Sequence, residues 1–207
     1  MAGGRSCLAP RRQPLNVIRH ERPRSVGLPT PLTAMAQVVL LKGINVGGHR
    51  TMRPSALAQD LKDLEVVNVG AAGTLVVRKA VRFVELRAEI ERRLPFRADV
   101  MICRGSDILR LVACDPFAGQ GSSPEVVRFV SLMGRSRKPW TRLPLELPAE
   151  GDWFLRVLAC QSRFVVSLHR RHMKAIRYLG ELEKVVGVPL TTRSWTTILA
   201  IARVLEA

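Results

Sequence analysis

From Met35 onward, short aliphatic runs alternate with segments whose apolar residues recur at helical spacing. Gln37–Gly43 ("QVVLLKG") is a β-branched and aliphatic run and predicts a buried strand. A glycine-rich loop follows it. In Pro54–Leu64 ("PSALAQDLKDL"), Leu57, Leu61 and Leu64 share one helical face, and Pro54 suits a first turn. "EVVNVG" and "GTLVVRK" read as two strands joined at Gly70–Gly73. Val81–Leu94 predicts a helix with Phe83, Leu86, Ile90 and Leu94 inward, and Ala98–Arg104 a further strand. The order β-α-β-β-α-β is that of the split βαβ, or ferredoxin-like, unit.

Residues 105–207 repeat this order loosely. Ser106–Cys114 reads as a short helix capped by Ser106, and Glu125–Met133 as a strand. Where the first unit has a helix, Gly134–Gly151 is rich in proline and arginine instead. "DWFLRVLAC" and "SRFVVSLHR" read as two strands meeting near Gln161. Ile176–Val186 reads as a helix ended by Gly187, "VPLTT" as a last strand, and "SWTTILAIARVLEA" as a closing helix with Trp195, Ile198, Leu199, Ala202 and Leu205 on one face. The repeat is one of element order, with no repeat of residues. The expected fold is α+β: two fused ferredoxin-like halves, 35–104 and 105–207, with antiparallel or mixed sheets, in a single domain.

Residues 1–34 break the pattern. They hold six arginines and one glutamate, a net of +5, with scattered prolines and no clear periodicity. That composition predicts a disordered basic extension. It lacks the apolar stretch of a secretory signal. Residues 35–207 carry 27 basic and 16 acidic residues, a net of +11, so the basic excess extends through the folding part of the chain. An excess of this size points to polyanions, and arginine, the dominant cation, has the planar fork that suits phosphate. Apolar residues make up 47 % of the chain and aromatics only 5 %, so the core is expected to be aliphatic. No apolar run approaches the ~18 residues of a membrane span. Cys7, Cys103, Cys114 and Cys160 form no CxxC pair and no zinc-like spacing with histidine, and read as reduced thiols of a cytoplasmic protein without a metal or other cofactor.

"LLKGINVGGHRTM" (Leu40–Met52) and "TTRSWTTILAIA" (Thr191–Ala202) together resemble the bacterial domain of unknown function 1697 family, whose members open with a strand and an RGINVGG-type loop and close with a TTRNWNT-type helix start. The resemblance spans Met35 to Ala207. It implies an α+β fold of two ferredoxin-like halves and no assigned activity. Lys42 stands where the family has arginine, Ala72-Gly73-Thr74 where it has Ser-Gly-Asn, and Ser194 and Thr196 where it has two asparagines. A mechanism that required those amides is in doubt for this chain.

Gly43, Gly47 and Gly48 lie between a strand and a helix, where glycine lets backbone N–H groups approach a ligand closely. Their G-x-x-x-G-G spacing matches neither the P-loop nor the dinucleotide fingerprint. Lys42, Asn45 and His49 add donors, and the alternative is a tight structural loop. Thr191, Thr192, Arg193 and Ser194 precede a well-patterned helix, an arrangement an anion prefers; capping by Ser194 alone also explains it. The candidate ligand set is Lys42, Gly43, Asn45, Gly47, Gly48, Gly73, Thr192 and Arg193, and the two segments are expected to be neighbours around one concave site. Arg135, Arg137, Lys138 and Arg142 around Trp140 form a candidate nucleic-acid loop. His169 and His172 in "HRRH" read as surface residues. There is no G-x-S-x-G elbow and no acid–base carboxylate pair, so no catalytic residue is assigned. Three classes remain: a binding module for a phosphate-bearing ligand, nucleotide or nucleic acid; an enzyme acting on such a ligand; and a structural or protein-interaction domain.

Overall fold

A computed structural model describes residues 35–45, 51–121, 123–136 and 143–207. β1 (Gln37–Lys42) runs antiparallel between β3 (Thr74–Val77) and β4 (Asp99–Arg104), and β2 (Val66–Asn68) lies on the far side of β3, giving a first sheet of order β2-β3-β1-β4. β1 is apolar along its length because both of its faces are covered. Val39 and Leu41, with Leu75, Val77, Val100 and Ile102, pack under α1 (Pro54–Asp60) and α2 (Phe83–Arg93) through Leu57, Leu61, Leu86 and Ile90. Val38 and Leu40 point the other way.

The second sheet has the order β6-β7-β8-β5-β9, all antiparallel, from β5 (Val126–Met133), β6 (Leu145–Leu147), β7 (Leu155–Gln161), β8 (Phe164–Arg170) and β9 (Leu190–Ser194). Its inner face, with Val130, Leu132, Phe164, Val166 and Leu168, joins Val38, Leu40, Val76, Met101 and Cys103 of the first sheet in one shared core. α3 (Gly105–Ala113) and α5 (Trp195–Glu206) complete that core with Ile108, Leu111, Ile198, Ile201 and Leu205. α4 (Met173–Val186) covers the outer face of the second sheet, with Leu182 and Val186 against Met133, Leu155, Val157 and Val165.

Without β6, the second sheet reads β7-β8-β5-β9 and repeats the order and directions of β2-β3-β1-β4. A helix follows the last strand each time. The equivalence extends to single bonds: Leu41 N–H donates to Gly73 O at 2.8 Å, and Met133 N–H donates to Arg163 O at 2.8 Å. The α+β class is therefore as expected, and both sheets are antiparallel with none mixed.

Several local expectations differ. α3 starts at Gly105, and Arg104, not Ser106, occupies its N-cap without a side-chain cap bond. α4 starts at Met173, three residues early, because His172 Nδ1 accepts from Lys174 N–H at 3.1 Å and caps it. Phe83 opens α2 and is 39 % exposed rather than inward, while Leu86 and Ile90 carry the contact. His169, expected at the surface, is 3 % exposed on β8, because strand alternation turns it to the same face as Val165 and Ser167.

Candidate functional site

The end of β1, the turn before β3 and the start of β9 meet at the upper edge of the shared core. Lys42 Nζ is 2.7 Å from both carboxylate oxygens of Glu183 on α4 and 3.8 Å from Asp99. Glu183 also accepts from Leu190 N–H at 3.1 Å, so one carboxylate ties α4 to both sheets. Gly43 turns the chain at φ +68°, and Ile44 drops into the core beneath it. Asn45, at φ +55°, donates from Nδ2 to Ala71 O and accepts at Oδ1 from Met52 N–H, both at 2.9 Å. It fastens the loop's two sides to the β2–β3 turn. Gly73 sits at φ +67°, and a Cβ there would collide with Ile44 Cδ1 and stand 2.9 Å from Leu41 Cβ, so only glycine fits. Gly47 and Gly48 lie outside the described residues.

Arg193 is 7 % exposed, and all of its donors are used. Nε donates to Thr74 Oγ1 at 2.7 Å. Nη1 donates to Thr191 Oγ1 at 3.0 Å and Thr192 O at 2.9 Å. Nη2 donates to Leu41 O at 2.9 Å and Ala72 O at 2.6 Å, with Gly73 O at 3.3 Å. A guanidinium has five N–H groups, and each has an acceptor within the chain, so none is left for an external anion. No carboxylate appears among these partners. Burial pulls the Arg193 pKa down to about 10, and it stays cationic at neutral pH. Thr192 Oγ1 is spent on Ser131 Oγ at 2.7 Å, and Ser194 Oγ accepts from Thr197 N–H at 3.3 Å as an ordinary cap. The two signature segments thus adjoin, but through filled contacts rather than around a cavity.

A second guanidinium fills the equivalent place on the opposite side. Arg163, in the β7–β8 turn, donates from Nε and Nη2 to Met133 O at 3.0 and 2.7 Å and from Nη1 to Ile102 O at 2.9 Å. By register, Met133 corresponds to Leu41 and Ile102 to Thr192. Both arginines therefore bridge the halves through equivalent pairs of backbone carbonyls, Leu41 and Thr192 in one case and Met133 and Ile102 in the other. Nothing in the sequence around Arg163 marks it; its role follows only from the strand register.

Arg135 is exposed at the end of β5, and Arg137, Lys138, Trp140 and Arg142 lie outside the described residues. A different basic and aromatic cluster lies on the inner face of the second sheet, at the end away from Lys42 and Gly73. The guanidinium carbons of Arg156 and Arg170 stand 4.4 and 5.0 Å from the centroid of Trp153. Arg156 and Arg128 each pair with Leu168 across their strands, which puts them on one face with Arg170. Beside them a cavity of about 270 Å³ is lined by Arg128, Ser194, Trp195 and Thr196. Cavities of about 390 and 850 Å³ lie beside α1 and past the end of α2, and none of the three is lined by Lys42, Gly43, Asn45, Gly73, Thr192 or Arg193. No group of three or more metal-ligating side chains exists among the described residues, and no described helix is long and apolar enough to cross a membrane.

A family model for "Protein of unknown function (DUF1697)" matches residues 35–146, more than half of the chain. The chain belongs to this family. The matched span contains Lys42, the glycine loop and Gly73, and ends before Thr192 and Arg193. Among solved structures, this family member is similar to the conserved bacterial protein SP0830 from Streptococcus pneumoniae, at 14 % identity and a TM-score of 0.55, over 84 % of this chain and 99 % of that one. At that identity the likeness speaks for the fold alone. No curated protein matches.

Proposed function

We propose that this family member is a binding module for phosphate-bearing polymers, that is, nucleic acid, built from two ferredoxin-like halves. The repeated order of β2-β3-β1-β4 and β7-β8-β5-β9 supports the ferredoxin-like reading of each half. The observation that carries the binding reading is the state of the cations. Residues 35–207 have a net charge of +11. Arg53, Lys62, Arg104, Arg135, Arg171 and Lys184 are exposed and stand outside every ion pair among the described residues. Such cations neutralise phosphates and release the counterions condensed on a polyanion. The full set of acceptors around Arg193 supports placing the ligand away from the signature segments, which then serve as the fastening between halves.

Binding of a fluorescently labelled RNA of about 12 nucleotides, followed by anisotropy across a salt series from about 50 to 200 mM, tests this. The expected result is an affinity that falls linearly in log–log form with salt. No binding at the lowest salt would overturn the reading. The saturated contacts of Lys42, Asn45 and Arg193 favour a second reading, a purely structural or protein-interaction domain, and that outcome would select it.

A further inference from the structure

We propose that the open end of the second sheet's inner face, centred on Arg156 and Arg170 over Trp153, is the surface that takes single-stranded nucleic acid. This rests on the binding reading above and adds to its unpaired cations two arginines that are ion-paired in the free chain. β8, the central strand of the second sheet, carries Arg170 on this face, and β7 carries Arg156 beside it, while Arg128 of β5 is engaged by Gln120 O at 2.9 Å and the Phe117 ring. α4 lies on the opposite face, so nothing of its packing competes. Arg156 pairs with Leu168 across neighbouring strands about 4.8 Å apart. Arg170 sits one alternate position along β8 from Leu168, about 7 Å away. The guanidinium carbons of Arg156 and Arg170 both lie within 5.0 Å of the Trp153 centroid, so they form one compact cationic patch.

The arrangement is also pre-organised. Trp153 holds both guanidiniums by cation–π contact, so little side-chain freedom remains to be lost on binding. The Arg156 and Arg170 side chains are 32 % and 37 % exposed, deep enough to be fixed and open enough to be reached from solvent. Side chains set this low on a flat sheet cannot enter a duplex groove, but they can meet phosphates and unstacked bases, which stack on arginine planes as they do on aromatic rings. Two carboxylates hold the cluster in the free protein: Glu146 at 2.7 Å from Arg156, and Asp152 at 3.7 Å from Arg170. A bound strand must displace or outcompete them. That makes an opposite-sign test available.

The test is anisotropy with the same labelled RNA, single-stranded and annealed to its complement, on the full chain and two double variants. Arg156→Gln with Arg170→Gln should weaken single-strand binding about ten-fold or more and lower the salt slope by about 2. Glu146→Gln with Asp152→Asn should tighten it a few-fold, a gain that a folding defect cannot mimic. The duplex should bind more weakly and respond to neither change. If the wild type binds with the expected salt dependence while both double variants match it, this site is wrong and the general binding reading stands. If the duplex is preferred and the arginine variant loses duplex binding, the single-strand assignment is overturned.

Discussion

The outer faces of the two sheets share one strand order and differ in chemistry. On the first, Val39, Val77 and Ile102 lie under two helices. At the corresponding positions of the second stand Ser131, Ser167 and Thr192, under α4 alone. The second face is still dry, with Ser131 and Ser167 fully buried and His169 nearly so. Its polar groups survive there because they pair: Ser131 Oγ with Thr192 Oγ1 at 2.7 Å, and Ser167 Oγ with His169 Nε2 at 3.0 Å. The comparison shows that repeated topology constrains where strands go, while the number of covering helices decides what those strands can carry inward.

The largest expected effect comes from breaking the junction that both faces depend on. Arg193→Ala should cost about 3–5 kcal/mol, because it removes the charge-assisted hydrogen bonds that fasten Thr74, Thr191, Thr192, Leu41 and Ala72 to one another. Urea unfolding measures it, and Arg193→Lys should restore only part. A midpoint unchanged by Arg193→Ala would mean that the halves are held by apolar contact alone.

Making the first face resemble the second comes next. Val77→Ser introduces a hydroxyl at a fully buried site surrounded by aliphatic groups and should cost about 2–4 kcal/mol. Equal tolerance of serine on both faces would dissolve the contrast.

The second face should also respond to acid. Burial pushes the His169 ring from its ordinary 6.5 down to about 4. Above pH 6.5 the ring is neutral in both folded and unfolded chains. As pH falls below that, the unfolded chain takes up a proton that the folded one refuses until about pH 4. This group should therefore remove about 3 kcal/mol of stability across that window. Unfolding midpoints between pH 7 and 4 for wild type and His169→Gln check this, and the variant should show the shallower decline. An identical decline in both would assign the acid sensitivity to carboxylates instead.

A near-neutral change sharpens the comparison from the other side. Ser131→Ala with Thr192→Val removes both partners of one hydrogen bond and should shift stability by less than about 1 kcal/mol, while Ser131→Ala alone should cost more than the pair. The smallest effect is Lys42→Met, at about 0–1 kcal/mol, since its ion pair with Glu183 is partly open to solvent.

Much of this fold was legible because aliphatic spacing is strong in this chain: each of the eight expected strands and five expected helices appears within a few residues. β6 escaped notice because three residues, "LEL", between prolines carry no period. The alternation of Val165, Ser167 and His169 in "FVVSLHR" turns the His169 ring inward, a signal masked by the dense local charge of "HRRH". Lys42 and Arg193 stood out as cations, but their partners did not. Glu183 is 141 residues from Lys42, and Leu41 is 152 from Arg193. Local pattern carries no record of acceptors so distant, and a buried arginine looks like a displayed one until the carbonyls around it are placed.

Arg193 and Arg163 also break an exchange symmetry. Each junction slot takes a turn residue from one half and a strand residue from the other. In one slot these are Gly73 and Arg193; in the other, Arg163 and, by register, Cys103. Two copies of the first half would meet with glycine and cysteine at both slots and no cation at all. Two copies of the second would force two guanidiniums against the same carbonyls at each. Only unlike partners place one guanidinium in each slot, one supplied by a strand and the other by a turn.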